Sequence, residues 1–298
     1  MFFFIKVCAD PQSQQFEVSG TDLFLITSAW NKSACCGSYC GKEIGINFLV
    51  RVSIIVPVLN EAAIIRGFLE HVRAAAPGAE IIVVDGGSND DTLAPARDLA
   101  HHVVEGPCGR AQQMNAGALR ARGEILWFLH VDSKISAGST AAIEDALSDA
   151  SVAGGCFRLE IIPPRWIYRV RDAFGNCCVD VFRIALGDRG LFCRKGMFFA
   201  VGGYPHQPLL EDAAFYRKLR SLGRVRQLPI AIQTSARRYE ALGPIRTSLF
   251  YMLIMTLYFA RVRLRVLERM VNWFAAKKAT DRFLIGTPIR TRPTVAGL

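Results

Sequence analysis

Three short stretches of this chain end an apolar run with groups suited to holding a phosphorylated ligand. The first, Val56-Pro-Val-Leu-Asn-Glu61, closes a β-branched run with Pro57 and then offers Asn60 and Glu61 near a helix start. A proline donates no ladder hydrogen bond, and the amide and carboxylate beyond it can bind a base or a ribose. The same residues equally make an ordinary turn with an N-cap. The second, Val84-Asp-Gly-Gly-Ser-Asn-Asp-Asp-Thr92, puts Asp85 and Ser88 where an apolar run stops. Its glycines allow close backbone approach, and the carboxylate can accept from a nucleobase N–H or a ribose hydroxyl, or else close an Asx turn. The third, Trp127-Phe-Leu-His-Val-Asp-Ser133, places Asp132 after a buried run. There a carboxylate can hold a divalent ion against a diphosphate whose oxygens complete the coordination shell.

The elements that must position these groups are visible as alternating patterns. Residues 52–56 and 81–84 read as buried strands, and residues 61–76 and 91–100 as helices. Residues 102–104, 110–122 and 124–129 continue as strand, helix and strand. Such alternation predicts an α/β class with a mainly parallel sheet and right-handed crossovers. Ligands of open sheets bind beyond the carboxyl ends of the strands, so the three polar exits are expected on one edge. In residues 152–246, apolar segments at 156–162 and 191–193 precede a helix from Glu211, while residues 162–181, with Trp166, Tyr168 and Phe174, read as acceptor loops.

Of the 298 residues, 51% are hydrophobic and 21% charged, which excludes a disordered chain or a low-complexity fibre. The net charge of +10 is uneven, because residues 246–298 hold ten Lys or Arg against Glu268 and Asp281. A nearly neutral domain therefore precedes a basic tail, an arrangement that argues against nucleic acid as a partner. In the tail, the apolar run 249–260 is followed by Arg261, Arg263, Arg265 and Arg269. That pattern predicts an amphipathic helix that lies on an anionic membrane surface, or packs on protein, and is too short to span a bilayer. Nine cysteines at irregular spacing read as reduced thiols without a metal. Phe2 to Ile5 is too short for a secretory signal, and Lys6 follows it instead of preceding it. The expected location is cytoplasmic, with peripheral contact at the inner face of the plasma membrane. The organisation expected is a poorly ordered extension at 1–50 with a weak strand at 23–26, a catalytic domain at 51–246 and a helical tail at 247–298.

In order and spacing, VSIIVPVLNE (52–61), IIVVDGGSNDDT (81–92), GRAQQMNAGALRARGEILWFLHVDS (109–133) and GGYPHQPLLED (202–212) resemble family 2 glycosyltransferases. The resemblance covers residues 51–246 and implies the GT-A fold, a Rossmann-like nucleotide-diphospho-sugar transferase architecture. GRAQQMNAG, FLHVDS, GDRGLF, PLLED and TSARRYE are similar to the bacterial branch associated with arsenosugar biosynthesis or with radical-SAM and selenoprotein domains. By this resemblance Glu61 and Asp85 contact base and ribose, Arg110 and Asn115 line the nucleotide pocket, and Asp132 holds Mg²⁺ or Mn²⁺ on the diphosphate. Asp212 is the implied general base, with Glu211 beside it and Asp188 on the acceptor side. Arg237 or Arg238 is placed to neutralise the departing diphosphate, since a guanidinium forks onto phosphate oxygens. His130 stands where the family carries the first carboxylate of its Asp-x-Asp, so the site has one negative charge fewer.

The expected activity is transfer of one sugar, with inversion, from a nucleoside-diphosphate-sugar to a hydroxyl acceptor. No Gln-x-x-Arg-Trp of the processive members is present. A nucleotidyltransferase is the alternative enzyme, but its Gly-rich, basic loop after the first strand is missing from PVLNEA. A non-catalytic, membrane-associated nucleotide-binding protein is the alternative of another class.

Overall fold

The computed structural model describes residues 51–285 apart from Pro208, with the side chains of Gly187, Arg238 and residues 275–285 not described. The extension and the weak strand expected before residue 51 lie outside the described residues. Strand β1 (Val52–Val58), helix α1 (Ala62–Ala75), β2 (Glu80–Asp85), α2 (Leu93–Leu99), β3 (His102–Glu105), α3 (Arg110–Arg120) and β4 (Ile125–Phe128) follow the expected alternation. After them come β5 (Ser133–Lys134), α4 (Ser139–Ser148), β6 (Val152–Ile162), α5 (Trp166–Phe182) and a 3-10 turn at Gly187–Arg189. The remaining elements are β7 (Phe192–Arg194), α6 (Lys195–Ala200), α7 (Glu211–Leu222), β8 (Arg224–Ser235), α8 (Arg237–Leu242), α9 (Pro244–Phe259) and α10 (Leu264–Ile285).

The strands form one mixed sheet in the order β3-β2-β1-β4-β7-β6-β8-β5. β3, β2, β1 and β4 are parallel, β7 runs antiparallel between β4 and β6, and β8 is parallel to β6. All seven residues of β1 are buried, as a strand covered on both faces requires. Its alternation sends Ile54 and Val56 toward Ile65, Phe68, Leu69 and Val72 of α1, and Ile55 toward Met114 and Ala118 of α3. Each such aliphatic side chain contributes roughly 1.5–3 kcal/mol on full burial. Close seating of α3 needs Gly117, since a Cβ there would come within 2.4 Å of Ile55 Cγ2.

Two expectations are corrected here. β1 does not stop at Val56 but runs through Pro57, which pairs with Val84. Val58 O accepts from Gly86 N on the β2 side and Ile55 O from Leu129 N on the β4 side. Pro57 shares the orientation of Ile55, and β4 has ended at Phe128, so its missing N–H breaks no ladder bond. Residues 162–181, read as acceptor loops, are mostly the helix α5, which buries Tyr168 and leaves Trp166 exposed. Gly175 weakens its helical signature, and a Cβ there would come within 2.5 Å of Arg189 Nη2.

The tail is helical and packs against the domain with part of its surface. Ile254, Leu267 and Val271 are buried with Leu209, Leu210 and Ala213, and Phe250 stacks on Phe274 at 4.0 Å. α10 has the expected amphipathic division, with Leu267 and Val271 buried and Arg265 and Arg269 exposed. α9 does not: it buries Thr247 and Ser248 and exposes Ile245, Leu249 and Leu253. No helix among the described residues is long and apolar enough to cross a membrane. Cys156, Cys177, Cys178 and Cys193 are free thiols, and burial pushes Cys156 up to about 12.

Candidate active site

The parallel pairing of β1, β2 and β4 puts residues 58–61, 85–92 and 129–133 on one edge of the sheet. The first two exits are laced together. Asn60 N donates to Ser88 Oγ, Glu61 N to Thr92 Oγ1, and Asn89 N to Asn60 Oδ1 at 2.7 Å. Asn60 has a φ of 54°, a left-handed geometry that Asn tolerates better than most residues. Asp85 is buried and closes its own turn, with Oδ2 accepting from Gly87 N and Ser88 N and Oδ1 from Ser88 Oγ. Its carboxylate thus shapes the second exit, as the Asx-turn alternative has it. Asp90 caps the same corner by accepting from Thr92 N and Ala62 N.

Helix α3 starts at this edge and joins it to the second half of the chain. The buried Gln113 Nε2 donates to both Val58 O and Val84 O at 2.8 Å, tying the helix to two strand ends. One turn earlier, Arg110 Nη2 donates to Asp212 Oδ2 at 2.8 Å and lies 3.2 Å from Glu211 Oε1. Burial disfavours the charged guanidinium, yet Glu211 and Asp212 outweigh it and raise the Arg110 pKa above its ordinary value. Asn115 bonds the Tyr204 backbone both ways, through Nδ2 to the carbonyl and Oδ1 from the N–H. Gly203, with a φ of 65°, leaves room for that clamp, because a Cβ would approach Asn115 Oδ1 to 2.7 Å.

The third exit is held by a short pairing. Ser133 lies opposite Thr234 in β8, and Ser235 N donates to Asp132 O. β8 then leads into α8, where Arg237 Nη2 lies 3.5 Å from Glu61 Oε2. Glu61 and Arg237 are therefore brought together, and so are Arg110, Glu211 and Asp212. Asp188 lies in an adjoining buried network with Arg171 at 3.2 Å, beside Asp172 and Arg189, and its charge also favours the Arg110 cation. It borders a narrow apolar cavity of about 40 Å³ shared by Leu210, Phe174 and Met255.

Gln113, Arg171 and Tyr204 received no role from the sequence. Gln113 stands three residues after Arg110, a spacing that puts both on one helix face. The ion pair from Arg110 to Asp212 spans 102 residues, beyond any local pattern.

His130 and Asp132 are half-buried at the third exit. Among the described residues, no three His, Cys, Asp or Glu side chains gather in a way that could hold a metal ion. One carboxylate does not make a cage. It does suit an ion that takes most of its oxygens from a bound diphosphate.

Residues 53–197 match the family model described as Glycosyl transferase family 2. Over these residues, just under half of the chain, the sequence is similar to family 2 glycosyl transferases. A PGL/p-HBAD biosynthesis glycosyltransferase of Mycobacterium tuberculosis is 29% identical over 160 residues, which cover 51% of this chain and 62% of that protein. Another glycosyltransferase of M. tuberculosis is 35% identical over 91 residues, 28% of this chain and 35% of its own. The chain spans 62% of the length of the first of these curated relatives. Among solved structures, the mannosyltransferase PcManGT from Pyrobaculum calidifontis, in complex with GDP-Man and Mn²⁺, aligns with a TM-score of 0.53 at 21% identity. That alignment covers 80% of this chain and 76% of the mannosyltransferase, and it shows the GT-A fold.

Proposed function

We propose that this glycosyl transferase domain moves one sugar from a nucleoside-diphosphate-sugar to a hydroxyl acceptor, with inversion at the anomeric carbon. The observation that carries the reading is the buried Asp212, held by Arg110 at the strand edge where three polar exits converge. Asp212 takes the acceptor proton as the new C–O bond forms. The bond from the anomeric carbon to the diphosphate breaks on the opposite face, and its electron pair leaves with the nucleoside diphosphate. Arg237, partly exposed beside Glu61, neutralises the leaving diphosphate, while residues 58–61 and 85–88 hold base and ribose. Asp132, beside His130, would hold Mg²⁺ or Mn²⁺, which when bound offsets the charge of the diphosphate. The arrangement of GRAQQMNAG, FLHVDS and PLLED supports placement in the arsenosugar and radical-SAM-associated branch.

A thermal-shift screen of UDP, GDP and their sugars with Mg²⁺ and Mn²⁺ tests the donor half. A ligand bound at a hundred times its Kd stabilises the native state by about 2.7 kcal/mol, a shift of several degrees. No shift with any nucleotide, with or without metal, would overturn the donor reading.

The outward stripe of Ile245, Leu249 and Leu253, with Arg246, Arg261, Arg263, Arg265 and Arg269, favours contact with an anionic lipid surface. Each cation adds roughly 1 kcal/mol near such a surface. Flotation with phosphatidylserine vesicles should recover the protein at low salt and lose it at high salt. Absence of binding at low salt ends this part of the reading.

A further inference from the structure

We propose that Arg110 is the positioning residue of the general base, holding Asp212 in place through catalysis instead of binding the donor diphosphate. The inference rests on the assignment of Asp212 as base. α7 begins from Leu210, which has a φ of 59° and caps the helix with no side-chain hydrogen bond. The Asp212 carboxylate is paired with a residue outside its own helix. Arg110 supplies that outside contact at 2.8 Å, from the first residue of α3.

α3 is itself anchored at three points along its first turns. Gly109, with a φ of 133°, opens it. Gln113 fixes it to the ends of β1 and β2, and Asn115 fixes it to the Tyr204 backbone eight residues before the base. Arg110 thus refers the position of Asp212 to the same strand ends that form the donor side.

Charge balance explains why the guanidinium stays. Glu211 and Asp212 are both buried, and one Arg110 nitrogen contacts both. Glu211 Oε2 is buried without a hydrogen-bond partner, so the pair has no surplus of donors on that side. Moving Arg110 to a diphosphate would take a cation away from two neighbouring buried carboxylates, at a cost in free energy. Glu211 is then the second anchor of the guanidinium and not the base.

The test uses the full chain with Mn²⁺ and the UDP- or GDP-sugar that the native protein turns over. UDP and GDP affinities are measured beside kcat for Arg110→Gln, Arg110→Lys and Asp212→Asn. Arg110→Gln should lower kcat about a hundredfold, the scale of a misplacement near 1 Å, with nucleotide affinity kept within about threefold. Arg110→Lys keeps the charge but loses the fork, so it should recover about tenfold of that loss, and it carries the test if the glutamine variant does not fold. Nucleotide affinity falling in step with turnover in both Arg110 variants would make Arg110 a donor ligand and overturn the inference. Native turnover in both variants would overturn it too. An inactive Asp212→Asn beside active Arg110 variants sinks the positioning role alone, whereas an active Asp212→Asn sinks the base assignment beneath it.

Discussion

Replacing Asp212 with Asn should cut turnover of the nucleotide-sugar roughly a hundredfold or more, while fold and nucleotide affinity stay close to native. The alternative role for the residue is structural, as a cap at the start of α7. A cap lost on substitution costs about 0.5–2 kcal/mol of stability and leaves chemistry intact. The geometry opposes that alternative, since the capping position belongs to Leu210 and no side chain caps the helix. Asp212 is fully buried, and breaking a buried pair outright can cost about 3–5 kcal/mol. Asn has the same shape and still presents an oxygen to Arg110, which keeps Glu211 as an ionic partner. The loss should therefore appear in kcat and not in the melting temperature. Release of nucleoside diphosphate from the sugar donor, with acceptor or by slow hydrolysis, measures it. Near-native turnover would move the base to Glu211 or Asp188.

Much of the first half of the fold was legible because its elements are local. β1 and β2 are mostly apolar runs, and the helix between them has an unbroken 3.6-residue spacing up to Pro77-Gly78. The second half hid its elements behind single residues. β8 carries Pro229, which stops a reading by propensity, yet the register jumps there from Leu228 opposite Phe157 to Ala231 opposite Arg158. That bulge absorbs a proline that no regular ladder would accept. α5 runs unbroken through Gly175, a poor helix former that weakens a reading by propensity.

The site was legible to a similar degree. The three exits follow from strand ends, whereas the meeting of Arg110 with Asp212 depends on how two helices are seated on a sheet. Residue types alone left two roles open for Asp85, and the resemblance put Asn115 in the nucleotide pocket. Asp85 Oδ2 and both polar atoms of the Asn115 side chain are bonded to backbone groups, and Asp85 Oδ1 to the Ser88 hydroxyl, so both shape the loops at this edge.

Asp132→Asn should weaken Mn²⁺-dependent nucleotide binding by at least tenfold to a hundredfold, the range that even an outer-shell partner of a metal commonly controls. No cluster of three metal-binding side chains exists among the described residues, and His130 takes the place of a second carboxylate. A hard divalent ion meets one anionic oxygen from Asp132 and needs five or more further oxygens. Water and diphosphate are the remaining sources, so metal and nucleotide should bind as a unit. Calorimetry of Mn²⁺ alone should show weak binding, becoming tight once UDP or GDP is present, with the two ligands strengthening each other by one factor, as linkage demands. Asn keeps the shape of Asp132 but removes the charge, so this coupling should collapse while metal-free nucleotide binding is preserved. His130→Asp should act in the opposite direction, restoring a second carboxylate and giving Mn²⁺ measurable affinity in the absence of nucleotide. If both variants titrate like the native chain, no divalent ion is held at the third exit, and the diphosphate charge must be met by Arg237 and its neighbours.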